Sequence, residues 1–183
     1  STFSSKFSNL LNNVIKSTGK IFIYVSEIWN GIIPLSLMLE QNGYVRHTCK
    51  NELPYLNSKH KSKPRCYKCG LFVTDKIHYK KHKDYHEFKI AKYISLSSDN
   101  SININSLITK FNNKSNTNGE EIKIIIGTRI LSEGIDVKCI RQLHILDPWY
   151  NISRLEQIVG RSIRTNSHID LDPINHNVEI FIY

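Results

Sequence analysis

Apolar positions change period several times along the chain, and each change marks an element. Phe3, Phe7, Leu10, Leu11, Val14 and Ile15 recur at helical spacing, which predicts an amphipathic first helix with Gly19 as its stop. Lys20 to Val25 then runs apolar without alternation, the pattern of a strand buried on both faces of a parallel sheet. Pro34 suits the first turn of a helix continuing through Leu35, Leu37, Met38 and Leu39 to about Gln41, with Gly43 placed to end it in the left-handed conformation. Tyr44-Val45-Arg46 opens a short strand. Strand, helix and strand in this order form a βαβ unit, with a right-handed crossover expected.

After Cys49 the pattern dissolves, returning at Tyr93-Ile94-Ser95-Leu96 and in a helix around Ile104, Leu107, Ile108 and Phe111. Residues 112–120 read as a polar exposed loop with little function expected. Lys123-Ile124-Ile125-Ile126-Gly127-Thr128 is a second doubly buried strand; a helix gives the same run, but the β-branched isoleucines and Gly127 favour strand. Gln142 to Leu146 is a third, broken at Asp147-Pro148-Trp149-Tyr150-Asn151. The period then becomes helical. Ser153-Arg154-Leu155-Glu156 fits a capping box, so a helix should start near residue 153. Leu155, Ile158, Val159 and Ile163 fall on one side of it, and Gln157, Arg161 and Arg164 on the other. Gly160 inside this helix costs about 1 kcal/mol relative to alanine, which predicts a close backbone approach there. Val178 to Tyr183 is the last strand, after a loop at Pro173.

At 183 residues and 40% hydrophobic, the chain suits one core with a modest insertion. No run of about 18 apolar residues and no signal-peptide layout is present, so nothing is expected to span or cross a membrane, and an intracellular, soluble protein is expected. The start without methionine fits a fragment, and the end on a core strand fits a trimmed boundary. The formal net charge is +9, and Lys59 to Lys92 holds eleven Lys or Arg against three acids, so nearly all of the excess sits there. The expected division is 1–48, a basic insertion over 49–91, and 92–183. Such a basic block is either a solvated loop or a surface for a phosphate backbone.

The cysteines are Cys49, Cys66, Cys69 and Cys139, and the two-residue gap between Cys66 and Cys69 points to a metal in a reducing compartment, not a disulfide. Cys66-x2-Cys69-x12-His82-x3-His86 matches the spacing of a zinc finger, with His82 and His86 on one helix face and Val73 and Tyr79 at its two apolar positions. Four protein ligands make such a Zn2+ site structural. His78, also four residues from His82, is a competing ligand, and the other reading is a knuckle-like turn in a loop rich in Lys and His. Lys76, Lys80, Lys81 and Lys83 would lie on the finger helix, where point charges suit phosphates better than bases.

Gln157-x-x-Gly160-Arg161-x-x-Arg164 resembles motif VI of superfamily 2 helicases, Gly127-Thr128 with Glu133-Gly134-Ile135-Asp136 resembles their motif V, and Lys20 to Val25 with Ser26 resembles motif IV. The resemblance covers the chain outside the insertion and implies the second RecA-like domain: a mostly parallel α/β sheet covered by helices on both faces. Glu133 to Asp136, His144 to Asn151, His168 and the Val178 to Tyr183 ending are similar to helicases of large nucleocytoplasmic DNA viruses, a group including the small subunit of the poxvirus early transcription factor and nucleoside triphosphatase I. By this resemblance Arg164 is the arginine finger, with Arg161 beside it and Gln157 near the same nucleotide. Gly160, Gly134 and Asp136 are placed at the nucleotide, Asp136 on the ribose. Thr128 and Gly127 are placed on a nucleic-acid backbone, Ser26 is either a further phosphate contact or a plain loop serine, and the charge of the insertion, not the resemblance, adds Lys80, Lys81 and Lys83. No G-x-x-x-x-G-K-[ST] loop or DEx[DH] motif occurs in the chain, so ATP and Mg2+ would need an N-terminal RecA-like domain of the same polypeptide, and this chain alone is expected to be inactive. The implied partners are DNA or RNA and a viral RNA polymerase or transcription factor subunit, in host cytoplasm or virion. The other function left open is a non-catalytic nucleic-acid-binding transcription factor subunit that keeps the fold.

Overall fold

The computed structural model describes residues 4–47, 54–96, 104–128, 135–148 and 152–183. Its principal elements are α1 (Ser5–Lys16), β1 (Lys20–Tyr24), α2 (Ile33–Gln41), β2 (Val45–Arg46), β3 (Lys92–Leu96), α3 (Ile104–Phe111), β4 (Ile124–Gly127), β5 (Ile140–Ile145), α4 (Ile152–Ser162) and β6 (Glu179–Ile182). The six strands form one sheet in the order β2-β3-β4-β1-β5-β6, and every pairing is parallel. β1 lies inside, with Ile21 opposite Ile124 on one side and Gln142 on the other.

The uninterrupted apolar runs have the expected cause. Ile21, Ile23, Val25, Ile124 and Ile126 pack with Leu10 and Val14 of α1 and Leu35 and Leu39 of α2. The alternate residues Phe22, Tyr24, Ile125, Leu143 and Ile145 pack with Leu107 and Phe111 of α3 and Ile158 of α4. Helices thus cover both faces, and a strand between them has no side on which polar residues could alternate. Gly43 has φ +87°; its N–H reaches Glu40 O at 3.2 Å and that of Tyr44 reaches Leu39 O at 3.0 Å, the paired bonds of a Schellman ending.

Several local expectations fail for identifiable reasons. α1 ends at Ser17 in extended conformation, and Gly19 instead makes room for Arg141, whose Cγ would lie 2.3 Å from an added Cβ. The chain enters α2 through a π-helical turn, Ile28–Ile32, just ahead of Pro34, which has no N–H for an α-type bond. α4 already includes Ile152, so Ser153 lies in the first turn and not at the cap. Ile163 falls beyond the end of α4 and is 49% exposed, outside the apolar stripe. The segment 112–120 is not merely a polar loop. Asn116 is fully buried, its amide donating to Phe111 O and Ile122 O while its oxygen accepts from Glu121 N and Ile122 N.

Buried polar groups cross the sheet as a chain. Gln142 donates to Glu179 at 2.9 Å and accepts from His144 Nε2 at 3.2 Å; Tyr183 donates to His144 Nδ1 at 3.0 Å, and Phe181 stacks on the imidazole. This pattern uses the neutral ring, and burial lowers the His144 pKa to about 3. The unfolded chain, with an ordinary histidine near 6.5, binds the extra proton, so this residue's contribution to stability is present above about pH 6.5 and is lost as pH falls towards 3. Denaturant unfolding of wild type and His144→Phe between pH 7 and 5 should show the wild type losing about 1.4 kcal/mol more per pH unit once below 6.5. Parallel curves for the two proteins would exclude this role.

Candidate functional site

Parallel strands bring their carboxyl ends to one edge, and there the chain places Ser26 after β1, Thr128 after β4 and Asp147 after β5. Gly127 pairs with both Tyr24 and Leu96, and Thr128 is buried next to it. Ser26 is already engaged: its N–H and its hydroxyl both donate to Asp147 Oδ2, each at 3.1 Å. This pair joins the ends of β1 and β5. Gly134 and Glu133 lie outside the described residues.

Asp136 lies ahead of β5, against the end of α3. Asn112 clamps its segment, donating to Asp136 O at 2.8 Å and accepting from Lys138 N at 2.9 Å. Both motif VI arginines turn to this carboxylate: Arg164 Nη1 stands 2.5 Å and Arg161 Nη1 3.4 Å from Asp136 Oδ1. The side chains of Arg164 and Asp136 are about half exposed, so the ion pairs add little stability. They hold two guanidiniums at one point, Arg161 on α4, which also exposes Gln157, and Arg164 just past its end. Gly160 departs from expectation. A Cβ there would meet nothing within 4 Å, so no part of the described chain requires the glycine.

The amino-terminal ends of the strands carry the Cys and His residues. A left-handed Gly70 closes the turn, its N–H bonded to Cys66 O at 3.1 Å, and Cys66 N reaches Leu71 O at 2.8 Å. One ligand atom each from Cys66, Cys69, His78 and His86 lies within 4.8 Å of the others, with Cys66 Sγ 3.3 Å from His86 Nε2 and Cys69 Sγ 3.3 Å from His78 Nε2. His82 is not in the cluster. It is exposed, and its Nδ1 accepts from Asp84 N at 3.2 Å. The fourth corner falls to His78 because Lys76–His78 forms one 3-10 turn and no finger helix follows it. Val73 and Tyr79, at the finger's apolar positions, are 36% and 56% exposed and build no small core.

Two soft thiols and two imidazoles at these separations suit a tetrahedral ion with metal–sulfur bonds of about 2.3 Å and metal–nitrogen bonds of about 2.0 to 2.1 Å. Burial raises the Cys69 thiol pKa and lowers the His86 imidazole pKa. Lys80, Lys81 and Lys83 are exposed on the loop between the two histidines, at the opposite end of the strands from Thr128 and Ser26. The structure does not bring these two groups together.

A family model described as "Helicase conserved C-terminal domain" matches residues 49–166. The chain belongs to that helicase family. It is 30% identical over 182 residues to "Putative ATP-dependent RNA helicase L377" of Acanthamoeba polyphaga mimivirus, covering 91% of this chain and 15% of the relative. It is 29% identical over 187 residues to "Early transcription factor large subunit homolog" of African swine fever virus, covering 99% of this chain and 15% of the relative. The viral group is the expected one, although this relative's name specifies the large subunit. The chain spans about one-seventh of either relative's length.

This helicase domain relies on residues to which the sequence patterns gave no role. Glu40, fully buried in α2, accepts from Tyr55 N, Leu56 N and Tyr93 OH at 3.1, 2.8 and 2.8 Å, so a helical acid holds the start of the insertion. Arg65 bonds Gly43 O through its N–H, Asn42 O through Nε and Gly70 O through Nη1. No spacing rule marks either residue. Glu40 reads as a surface helix acid, and Arg65 as one cation among many. No helix among the described residues is long and apolar enough to cross a membrane.

The open space at Gly160 yields a test. Gly160→Ala in this domain should raise stability by about 1 kcal/mol, or Tm by about 2 to 4 °C, because helix propensity improves with no clash. A lower Tm in thermal unfolding would mean that the position is constrained from within the domain.

Proposed function

We propose that this domain is the second motor lobe of an ATP-dependent helicase or translocase acting on DNA or RNA in viral transcription. The observation that carries the reading is the convergence of Arg161 and Arg164 on one oxygen of Asp136 at an exposed edge. Two permanently charged donors gathered at a point suit the γ-phosphate of a nucleotide. When ATP with Mg2+ is bound against a first RecA-like lobe of the same polypeptide, it supplies the phosphoryl group whose transfer to water drives the motor. Arg164 would leave Asp136 to act as the finger, Arg161 would hold the phosphates, and Gln157 and the exposed backbone at Gly160 would border the nucleotide. Asp136, released from its arginines, would take the ribose hydroxyls. Thr128 and Gly127 would hold a nucleic-acid phosphate at the carboxyl end of β4, with Ser26 joining if its hydroxyl turns from Asp147. The relatives, of which the chain covers 15%, are long enough to carry such a lobe.

A second reading, a non-catalytic transcription factor subunit that keeps the fold, is favoured by the name of the African swine fever virus relative. Arg161→Ala and Arg164→Ala in the full-length protein separate the two. Loss of ATP turnover on the order of 1000-fold in both variants is the expected result. Turnover within a few-fold of wild type would remove the arginines from the mechanism, and a wild type with no turnover would favour the factor.

We also infer that Cys66, Cys69, His78 and His86 hold a structural Zn2+ within an insertion spanning 49–91. The support is the donor set and its separations. Lys80, Lys81 and Lys83 would then lie on a metal-pinned loop, offering point charges to nucleic acid at a separate surface. Metal analysis of the purified chain should find one zinc, retained in His82→Ala and lost in His78→Ala and Cys66→Ser. Retention in His78→Ala with loss in His82→Ala would restore the finger spacing.

A further inference from the structure

A cavity of about 560 Å³ opens at the amino-terminal ends of the strands, and none of the motor residues lines it. It lies between the Cys66-x-x-Cys69 turn and the loops that lead into β1, β4 and β6, and its lining includes Gly19, Tyr67, Lys68, Asn118, Arg141 and Leu171. No carboxylate among the described residues lines it. On the far side of Arg141 is a smaller cavity of about 180 Å³, where Glu179 appears, already accepting from Gln142.

Arg141 is the unusual group. Its Nε and Nη1 are shielded from solvent and meet no hydrogen-bond partner, and no carboxylate among the described residues pairs with it. Shielding N–H groups of a permanent cation without acceptors is costly. Its position is also built in. A Cβ at Gly19 would stand 2.3 Å from Arg141 Cγ and 3.0 Å from its Cβ, so the glycine is what lets the arginine lie across the start of β1. Lys68 adds a second cation, and Tyr67 and Leu171 add apolar wall.

We propose that this cavity is an anion-binding site that receives a phosphate group, with Arg141 as its principal donor and Lys68 as its second charge. Turned into the cavity that it lines, a guanidinium with two unpartnered N–H groups matches the planar pairs of oxygens on a phosphate. The volume fits a ligand of about mononucleotide size, its apolar part lying on Tyr67 and Leu171. The phosphate comes either from a small phosphorylated molecule or from the end of a nucleic-acid strand. The site is independent of the motor reading, since it uses neither Arg161 nor Arg164.

The test is calorimetric titration of the 183-residue chain with inorganic pyrophosphate, AMP, and a short oligonucleotide with and without a 5′-phosphate. Binding of at least one phosphate probe is expected, weakened about tenfold or more in Arg141→Ala and partly kept in Arg141→Lys. AMP binding more tightly than the oligonucleotides identifies a small ligand, and a preference for the 5′-phosphorylated strand identifies a strand end. Equal unfolding midpoints of wild type and Arg141→Lys show that charge geometry, not folding, is being read. No binding at millimolar concentration, or binding insensitive to Arg141, would overturn the proposal.

Discussion

A central strand with no solvent-facing side constrains everything around it. Ile21, Phe22, Ile23, Tyr24 and Val25 are all buried, alternately against α1 with α2 and against α3 with α4. β1 also has a parallel neighbour on each edge, so its backbone is saturated as well. Parallel pairing demands a crossover for each strand, and the crossovers supply the helices that cover the faces. Once β1 is fixed between β4 and β5, the residues that follow these strands share one edge of the sheet. Ser26, Thr128 and the Asp147 turn are neighbours for that reason, though more than a hundred residues separate Ser26 from Asp147.

The elements were legible because their signals are backbone and burial signals. Unalternating isoleucines marked the inner strands, and Gly43 marked a helix end that only a left-handed residue completes. The site was legible in part. Period alone puts Gln157, Arg161 and Arg164 on one side, but Arg164 falls past the end of α4, and that the two arginines close on Asp136 depends on the Asn112 clamp, which joins segments 24 residues apart. The metal-ligand pattern misled in one position. His82 has the finger spacing, yet that spacing counts only if a helix carries the two histidines, and here the segment winds a single 3-10 turn that presents His78. Residues that work by filling a buried hydrogen-bond set, such as Glu40 and Asn116, leave no trace in spacing at all.

The two ends of the sheet carry different chemistry, and β4 connects them. Just ahead of it, the Lys123 ammonium is buried, with burial pushing its pKa down to about 8, and it donates to Ser17 O at 2.6 Å and to Tyr67 O. Tyr67 sits inside the turn between Cys66 and Cys69. Four residues further on, the same strand delivers Gly127 and Thr128 to the opposite edge. A short strand locked in register with two neighbours moves as a stiff unit, so where it begins sets where it ends. The Cys and His turn is therefore better placed to fix where β4 begins than to move it. That gives a physical reason for anchoring a polar segment at this point: the Thr128 end of β4 is only as well placed as its start.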